Sequence, residues 1–344
     1  MKTLFRALFI VVVLAALMVG TVVAQDDVDR SDWPAQFVVG LFGGDDSAET
    51  LRNNEPLAAY LSEELGIEVL ITTGTSYSAV IEAMRAERVD AMLVGPFSFV
   101  LAERVANAEP IATIAFEGTF QGTAEELGQT PDFAPFYYSV FITTKGSGVR
   151  TLADLEGVEF AFVDPASTSG RNAPVVRLIN EIAGLETPAD VDGWLNPIFA
   201  GSHPSAVTAL AEGNVIAAAT FEGNLVNMRG EGLVEACGFE DDRLGVPLTQ
   251  EMLDAIYDDC PDGNIVVIAQ SDPIPNTPVA VRPGLPESLK TALQDALLAI
   301  DNDDELFQQI GYWFVDPREI IPELETISDF YDVVRDLADI TLDQ

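Results

Sequence analysis

Short apolar runs alternate with stretches of helical spacing along most of the chain, and this alternation constrains the fold more than any other feature. Residues 37–42 form an apolar run followed by two glycines, and residues 48–65 carry leucines at helical spacing and stop at Gly66. Apolar runs at 67–72 and 89–94 follow in the same manner. Strands that alternate with helices through short glycine-rich joins predict βαβ units, an α/β fold and a mainly parallel sheet.

The same pattern restarts in the second part of the chain, which predicts a second lobe. We expect strands at 138–143, 158–163, 217–221 and 265–269, helices at 175–183 and 204–212, an acidic irregular segment at 230–263 and a mostly helical tail at 286–340. Each lobe should contain a mixed, mainly parallel sheet flanked by helices, with two crossover strands between the lobes. The predicted boundaries are residues 25–136 with 276–344 for lobe 1 and residues 137–275 for lobe 2.

The amino-terminal residues indicate export. Lys2 and Arg6 precede an apolar run at residues 7–19, and small residues follow up to Ala24. These features are typical of a signal peptide, here residues 1–24, cleaved near Ala24. The alternative is a membrane anchor, but a spanning helix needs about 20 apolar residues. We therefore expect a periplasmic or extracellular protein.

The chain is strongly acidic, with 17 Lys and Arg against 56 Asp and Glu and a formal net charge of −39. Such a charge repels nucleic acid and anionic lipid, so neither is an expected partner. Cys237 and Cys260 are the two cysteines, and export favours a disulfide between them, with two free buried thiols as the alternative. A single histidine leaves few ligands for a metal site, and we expect no cofactor.

The loop after the strand at 158–163 carries the strongest functional signal. It reads DPASTSG at 164–170 and is followed by Pro174. Because proline is tolerated in the first turn of a helix, we expect the helix to begin between residues 171 and 174. Three hydroxyl residues stand directly before that start: Ser167, Thr168 and Ser169. Free N–H groups and the helix dipole favour an anion there, and simple helix capping is the alternative.

Three further helix starts carry residues that suit an anion. Residues 201–205 read GSHPS, where Pro204 fits the first helical position and the ring of His203 can donate a hydrogen bond. The other two starts lie at 75–78 with Tyr77 and at 95–98 with Phe97 and Ser98. A lone histidine is often structural, and both aromatic residues are equally well explained as core. Because Lys and Arg are scarce, the four starts together predict an anion held by uncharged donors.

These motifs resemble those of the phosphate-, phosphite- and phosphonate-binding proteins of ABC transporters. The DPASTSG loop is similar to the family's D-P-x-S-T-S-G signature, and residues 77–90 resemble its Y-x-x-V-I-E-x-M-R segment that ends in V-D. Residues 137–140 are similar to its Y-W-S-V segment, residues 201–203 to its G-x-H loop, and residues 311–313 to its late aromatic segment. The likeness spans roughly residues 36–320.

The resemblance implies a two-lobed periplasmic-binding fold of type II and a solute-binding role in an ABC importer, with membrane contact only through the permease. It also implies that Ser167, Thr168 and His203 hold phosphoryl oxygens, while Tyr77 and Ser98 close from the other lobe. The remaining candidate ligand-binding residues are Phe97, Tyr137, Ser169, Phe221 and Glu222.

Acidic residues are missing where the resemblance would place them. Family members that bind aminoalkylphosphonates hold the ammonium group with carboxylates, and the matching positions here fall near Gly223 and Thr277. Glu222 lies one residue away, so a shift of one would restore one carboxylate. We therefore expect a compact ligand without an amine, such as phosphite, methylphosphonate, hypophosphite or phosphate. Phe221 is a candidate apolar wall for a P–H or P–CH3 group.

Other functions have less support in the sequence. A hydrolase that used Ser167 and His203 would need an acid partner, and none stands out, so we expect no catalytic residues and no enzymatic activity. A two-lobed receptor for another oxyanion, such as a sulfonate or molybdate, and a sensor-type binding protein are the alternatives. A ferric-iron receptor would need clustered tyrosines or carboxylates, and the seven tyrosines are scattered.

Overall fold

The computed structural model describes residues 29–117, 133–238, 244–300 and 305–342. The predicted signal peptide at residues 1–24 and its cleavage site lie outside the described residues. Within these ranges, no helix combines the length and the apolar character that crossing a bilayer requires.

Strands and helices alternate through most of the described chain. The strands are β1 (Gln36–Phe42), β2 (Glu68–Gly74), β3 (Ala91–Leu93), β4 (Glu109–Glu117), β5 (Phe133–Ala134), β6 (Phe136–Tyr137), β7 (Ser139–Thr144), β8 (Glu159–Phe162), β9 (Asn196–Phe199), β10 (Ala217–Phe221), β11 (Ala236–Cys237), β12 (Ile265–Gln270), β13 (Ile274–Pro275), β14 (Pro278–Val281) and β15 (Trp313–Val315). The α-helices are α1 (Ser47–Leu65), α2 (Tyr77–Arg85), α3 (Pro96–Ala106), α4 (Ala173–Glu181), α5 (Pro188–Trp194), α6 (His203–Ala211), α7 (Glu222–Gly230), α8 (Gln250–Asp259), α9 (Glu287–Leu298), α10 (Glu305–Ile310) and α11 (Asp332–Leu342). Short 3-10 turns lie at Leu152–Leu155, Pro317–Glu319 and Ser328–Tyr331, and a π-helical turn lies at Thr168–Asn172.

All described strands except the paired β6 and β13 belong to two mixed sheets, which confirms the predicted α/β class. The first sheet has the order β15-β4-β14-β3-β1-β2, with β5 paired to β4, and the second has the order β11-β12-β7-β10-β8-β9. In the first sheet, β1 pairs in parallel with β2 and β3, whereas β4, β14 and β15 pair antiparallel. This sheet therefore has more antiparallel pairing than predicted, because the chain returns to it from the second sheet in the opposite direction.

The chain passes between the two sheets twice. The short strands β6 and β13 pair antiparallel with each other, with Ile274 opposite Tyr137. The described strands before β6 belong to the first sheet, β7 to β12 belong to the second, and β14 and β15 return to the first. The predicted lobe boundaries at 136/137 and 275/276 fall within or directly beside these two crossing strands.

Helices begin close to the carboxyl ends of the parallel strands. Ser76 caps α2 after β2, since its hydroxyl accepts from the Ala79 N–H at 3.1 Å. After β3, α3 begins with Pro96, and α6 begins at His203 with Ser202 as its N-cap. Ligands of α/β proteins bind at such strand ends, so these helix starts are placed where a site is expected.

The α-helix after the DPASTSG loop begins where predicted, because α4 starts at Ala173, within residues 171–174. A π-helical turn at Thr168–Asn172, which was not predicted, precedes α4 and continues into it. Pro174 fits this arrangement, since it has no N–H to offer the carbonyl of Gly170. That carbonyl accepts instead from the N–H of Val163 at 2.9 Å.

The prediction that residues 230–263 are irregular is wrong, because β11 and α8 lie there. The hydroxyl of Thr249 caps α8 and accepts from the Met252 N–H at 3.3 Å. Met252, Leu253, Ile256 and Tyr257 lie at helical spacing in α8, and of these four only Leu253 is buried. Cys237 and Cys260, the predicted pair, are joined by a disulfide with their Cα atoms 5.9 Å apart.

Buried aromatic side chains fill the core behind the strand ends. Phe141, Phe160 and Phe162 are fully buried in the second sheet. Phe99 of α3 packs edge to face on Tyr331, with the ring centroids 5.0 Å apart. Burial of each such side chain contributes roughly 1.5–3 kcal/mol, so this packing holds the adjacent loops in place.

Candidate functional site

A cleft of about 150 Å³ lies where elements of the two sheets meet. Seven of the predicted ligand-binding residues line it: Tyr77, Tyr137, Ser167, Thr168, Ser169, His203 and Phe221. Three more residues complete the lining: Gly95, Asn276 and Thr277. The sequence analysis missed Gly95 and Asn276 and considered Thr277 only as a position where relatives carry an acid.

The hydroxyl-rich turn is fixed by its own backbone. The Ser167 hydroxyl accepts from the N–H of Gly170 at 3.0 Å, and the Ser139 hydroxyl donates to the carbonyl of Ser169 at 2.6 Å. A Cβ atom at Gly170 would lie 2.4 Å from Val163, so glycine is required for the turn to pack on β8 and its following residue. The first N–H groups of a helical segment have no intrahelical acceptor and face forward, where an anion is favoured.

The start of α3 holds the other side of this turn. The N–H of Phe97 donates to Thr168 Oγ1 at 2.9 Å, and the hydroxyl of Ser98 donates to the carbonyl of Ala166 at 2.8 Å. A Cβ atom at Gly95 would approach Thr168 Oγ1 to 3.0 Å. Phe97 and Ser98 do not line the cleft, because the Phe97 ring lies in the hydrophobic core and the Ser98 hydroxyl already has a buried backbone partner.

Two buried phenols complete the hydroxyl cluster. The side chain of Tyr77 lies beside Ser167, and that of Tyr137 lies beside Ser169 and Thr168. Burial is the main reason that the pKa of Tyr77 lies above its ordinary value and that the pKa of Tyr137 is raised to about 12. Both phenols therefore stay protonated near pH 7 and can donate hydrogen bonds.

His203 lines the cleft as an uncharged ring. Its side chain is buried, its Nδ1 lies 3.1 Å from Thr220 Oγ1, and its ring meets the Phe221 ring edge to face at 4.8 Å. Burial lowers the pKa of His203 to about 3, so the imidazole carries one proton near pH 7. The ring nitrogen left for a ligand is Nε2.

Asn276 is the site residue that the sequence analysis missed most clearly. Its side chain is 2% exposed, and its Oδ1 accepts from the N–H of Thr277 at 2.8 Å. Its carbonyl accepts from the hydroxyl of Tyr331 at 3.0 Å, which fixes the backbone here. Its Nδ2 has no hydrogen-bond partner among the described residues. A buried donor without a partner is costly, so this atom is the clearest local indication of a ligand acceptor in the cleft.

Glu222 does not line the cleft. Its carboxylate is 1% exposed and points to the backbone, where Oε1 accepts from the N–H of Gly245 at 2.8 Å and of Tyr138 at 3.2 Å. Burial raises the pKa of Glu222 to about 8. The described residues that line the cleft include no Asp, Glu, Lys or Arg, and the described chain contains no group of three or more His, Cys, Asp or Glu that could hold a metal ion.

One cation lies behind the turn without lining the cleft. Arg171 is 8% exposed, and its guanidinium lies 4.5 Å from the centroid of the Phe162 ring. Its Nη2 donates to Asp192 Oδ2 at 2.9 Å. Because this carboxylate balances its charge, Arg171 adds little net positive potential to the cleft.

An ion-to-hydroxyl contact joins the two sheets beside the cleft. Asp45 lies in the loop after β1 and accepts from Ser202 Oγ at 2.5 Å and from Ser205 Oγ at 3.1 Å, both at the start of α6. The contacts of α3 with the hydroxyl-rich turn lie on another side of the cleft. Elements of the first sheet are thus hydrogen-bonded to elements of the second around the cleft.

Two mixed α/β sheets, two crossing strands and a cleft of uncharged donors between them define a two-lobed solute-binding protein. Solved structures have the same fold. PhnD1 from Prochlorococcus marinus in complex with methylphosphonate aligns over 89% of this chain and 97% of its own, with a TM-score of 0.62 and 17% identity. A binding-protein component of an ABC phosphonate transporter from Pseudomonas aeruginosa aligns over 89% and 96%, with a TM-score of 0.57 and 18% identity.

The chain belongs to the family of periplasmic substrate-binding proteins of ABC phosphonate transporters, whose family model matches residues 39–317. This confirms the resemblance found in the sequence. A phosphate-import protein, PhnD, from Mycolicibacterium smegmatis is 29% identical over 193 residues, which are 55% of this chain and 56% of that protein. A phosphonates-binding periplasmic protein from Escherichia coli is 25% identical over 245 residues, or 70% of this chain and 59% of that protein. The chain thus matches somewhat more than half the length of these relatives.

Proposed function

We propose that this chain binds a small phosphorus oxyanion without an amine, such as methylphosphonate, phosphite, hypophosphite or phosphate, in the cleft between the sheets. It then delivers the ligand to the permease of an ABC importer outside the cytoplasmic membrane, after removal of an export signal. The observation that carries this proposal is the buried Nδ2 of Asn276, a donor without a partner among the described residues, in a cleft whose other polar side chains are hydroxyls and a neutral histidine.

The donors of the cleft suit phosphoryl oxygens. The hydroxyls of Ser167 and Thr168 accept from backbone N–H groups, so their own protons are available to other acceptors. Hydrogen bonds to an ionised oxygen are shorter and roughly twice as strong as neutral ones. Several such bonds compensate an anion without a cation, and the distant acidic surface is screened over about 8 Å at physiological ionic strength.

The apolar part of the lining suits a substituent on phosphorus. The Phe221 ring meets the rings of His203 and Tyr137 edge to face, at centroid distances of 4.8 Å and 6.2 Å. A hydrogen atom or a methyl group on phosphorus makes no hydrogen bonds to water that packing against the Phe221 ring would break. An ammonium group would instead lose its hydration without gaining a carboxylate partner. The volume of about 150 Å³ is below the range of about 300–1,000 Å³ that is usual for drug-sized ligands, which favours a compact ion.

Binding and closure are coupled in this proposal. The ligand contacts the hydroxyl-rich turn from the second-sheet side and Tyr77 and Asn276 from elements beside the first sheet. A ligand that touches both sides stabilises the closed state over the open one, by as much as its affinities for the two states differ. The permease would then recognise the closed form.

Isothermal titration calorimetry on residues 25–344 tests the proposed ligand class. The ligands are methylphosphonate, phosphite, phosphate and 2-aminoethylphosphonate, with methanesulfonate and molybdate as controls for other oxyanions. We expect one of the first three to bind at least tenfold more tightly than 2-aminoethylphosphonate and methanesulfonate. Equal or tighter binding of the aminophosphonate, or a preference for a sulfonate or molybdate, would contradict the proposal.

A further inference from the structure

Three buried polar side chains form a chain of hydrogen bonds behind the cleft. Thr220, the fourth residue of β10, is fully buried, and its Oγ1 lies 3.1 Å from His203 Nδ1. On the other side, Nδ2 of Asn224 lies 3.1 Å from the same oxygen. Asn224 belongs to α7 and is 6% exposed. Neither Thr220 nor Asn224 lines the cleft.

The orientation of the Asn224 amide follows from a third neighbour. Its Nδ2 also lies 3.5 Å from the sulfur of Met228, one helical turn further along α7. A thioether sulfur accepts hydrogen bonds and cannot donate them. The group that faces both the sulfur and Thr220 is therefore the NH2 group, which donates to Thr220 Oγ1.

The hydroxyl proton of Thr220 then has one available hydrogen-bond acceptor in the part of the chain that the structure describes. Among the described residues, its oxygen is within hydrogen-bonding distance of Asn224 Nδ2 and His203 Nδ1. Because Asn224 donates, the hydroxyl proton points to the histidine nitrogen, which accepts it. The opposite arrangement would leave a buried hydroxyl proton without an acceptor, which costs free energy.

We propose that Asn224 and Thr220 are positioning residues that hold His203 in the tautomer protonated at Nε2, so that it donates to a deprotonated oxygen of the ligand. A neutral imidazole has one N–H, and the partner of one nitrogen decides which nitrogen carries it. With Nδ1 occupied as an acceptor, Nε2 presents a donor to the cleft. The other tautomer would present a lone pair, which repels an ionised oxygen and accepts only from a protonated one.

This assignment has a consequence for specificity that rests on the proposed function. At the His203 position the site selects an ionised phosphoryl oxygen over a P–OH group. The burial that lowers the pKa of His203 to about 3 keeps the ring neutral, so the choice is between tautomers and not between charge states. The ligand's protonation state thus becomes part of what the cleft recognises.

The test uses the fact that His203 is the chain's one histidine. Nitrogen-15 NMR of the imidazole in uniformly labelled protein, residues 25–344 at pH 7, reports the tautomer without overlap. We expect a single Nε2-protonated form, both without ligand and with methylphosphonate. Thr220→Val should produce a mixture with a detectable Nδ1-protonated fraction and weaken methylphosphonate binding about fivefold, the factor expected from one neutral hydrogen bond of ordinary strength.

Thr220→Ser keeps the hydroxyl and is the matched control. It should show the same His203 tautomer and the same affinity as the unmodified chain. Asn224→Leu is a second variant for the case in which Thr220→Val does not fold. It should weaken the preference of His203 for the Nε2-protonated tautomer. An Nδ1-protonated ring or a mixture in the unmodified chain overturns the inference, as does a Thr220→Val variant with unchanged tautomer or affinity. The tautomer is measured without ligand. An Nε2-protonated ring in a chain that binds no phosphorus oxyanion would therefore refute the proposed function alone.

Discussion

Ser167 and Thr168 each have two tasks. As acceptors from the N–H groups of Gly170 and Phe97 they shape the turn, and as hydroxyl donors they face the cleft. A hydroxyl can do both at once, because it has one proton and two lone pairs. This explains why serine and threonine, rather than lysine or arginine, suit an anion site in so acidic a chain.

Removal of both hydroxyls should cost most of the affinity. Each buried hydrogen bond to an anion is worth roughly 1.5–3 kcal/mol, so the double variant Ser167→Ala with Thr168→Ala should weaken methylphosphonate binding at least about a hundredfold. Calorimetry measures the loss, and Ser147→Ala, which removes an exposed serine hydroxyl that bonds to Thr143 Oγ1 at 2.9 Å away from the cleft, is the control. A loss below tenfold would count against the turn as the site.

Asn276→Asp tests the missed donor with almost no change in shape. The new side chain keeps an oxygen for the N–H of Thr277, but it replaces the Nδ2 donor with an acceptor that is charged when ionised. An anion should therefore bind at least about a hundredfold more weakly, and the buried carboxyl should also lower thermal stability as the pH rises through neutral. Unchanged affinity in calorimetry would show that Asn276 does not face the ligand.

Glu222 should make stability depend on pH. In the unfolded chain its carboxylate ionises near 4.5, whereas burial raises its pKa in the fold to about 8. The folded state thus binds more protons between these values, and its contribution to stability is complete below pH 4.5 and falls as the pH rises to 8. Glu222→Gln cannot ionise and still offers an oxygen to Tyr138 and Gly245.

Urea unfolding at pH 5 and pH 8 measures this effect. Relative to the unmodified chain, Glu222→Gln should gain on the order of 3 kcal/mol on going from pH 5 to pH 8. Glu231→Gln changes an exposed glutamate beside the same helix and should show no such gain. A Glu222→Gln variant that tracks the unmodified chain at both pH values would refute a buried, protonated carboxyl.

At the scale of elements, the π-helical turn at Thr168–Asn172 decides how the hydroxyls are presented. It brings helical structure forward to the hydroxyls themselves and leaves the Gly170 carbonyl free to bond the end of β8. The position of the loop after a strand and before a helix was predictable from Gly and Pro and from the apolar run. The π turn was not, because it depends on a hydrogen bond to Val163 that local sequence does not reveal.

Gly170→Ala should disrupt this turn. The added Cβ would lie 2.4 Å from Val163 and 2.8 Å from the Ser167 hydroxyl, so the backbone must shift. We expect a loss of about 1–3 kcal/mol in unfolding free energy, together with weaker ligand binding. Gly193→Ala is the control, since nothing lies within 4 Å of its added Cβ and alanine favours the helix there. Equal stabilities of the two variants in urea unfolding would contradict the close packing at Gly170.

Other elements were predictable to different degrees. The strands that carry strong apolar runs, such as β1 and β10, agree with the sequence analysis. β14 lies in a proline-rich stretch and β15 in a tail expected to be helical, and both are strands because the first sheet offers them partners. Asn276 was missed for the same reason, since its place beside the cleft follows from the return of the chain after β13.

At the scale of the whole molecule, Asp45 would stabilise the closure that the proposed function requires. Its hydrogen bonds to Ser202 and Ser205 join the loop after β1 to the start of α6. Neither of these serines lines the cleft. The positive end of the α6 dipole also stabilises the negative charge of this carboxylate. Because these contacts require the two sheets to be close together, the proposed function assigns them to the closed form, where they should slow release of the ligand.

Asp45→Ala should therefore weaken binding without touching the ligand. The contact is exposed, so we expect a loss of about 1 kcal/mol, or roughly fivefold in affinity, mainly through faster release. Stopped-flow release of methylphosphonate measures it, and Glu49→Ala removes a nearby charge of the first helix as a control. An unchanged release rate in Asp45→Ala would mean that closure does not depend on this contact.

A crystal structure of residues 25–344 with methylphosphonate tests most directly whether uncharged donors hold an anion in this cleft. We expect phosphoryl oxygens within about 2.7–3.2 Å of the hydroxyls of Ser167 and Thr168, of Asn276 Nδ2 and of His203 Nε2. The methyl group should lie against Phe221. A ligand bound away from the turn at 167–169, or held there by a recruited Lys or Arg side chain, would contradict this mode of binding.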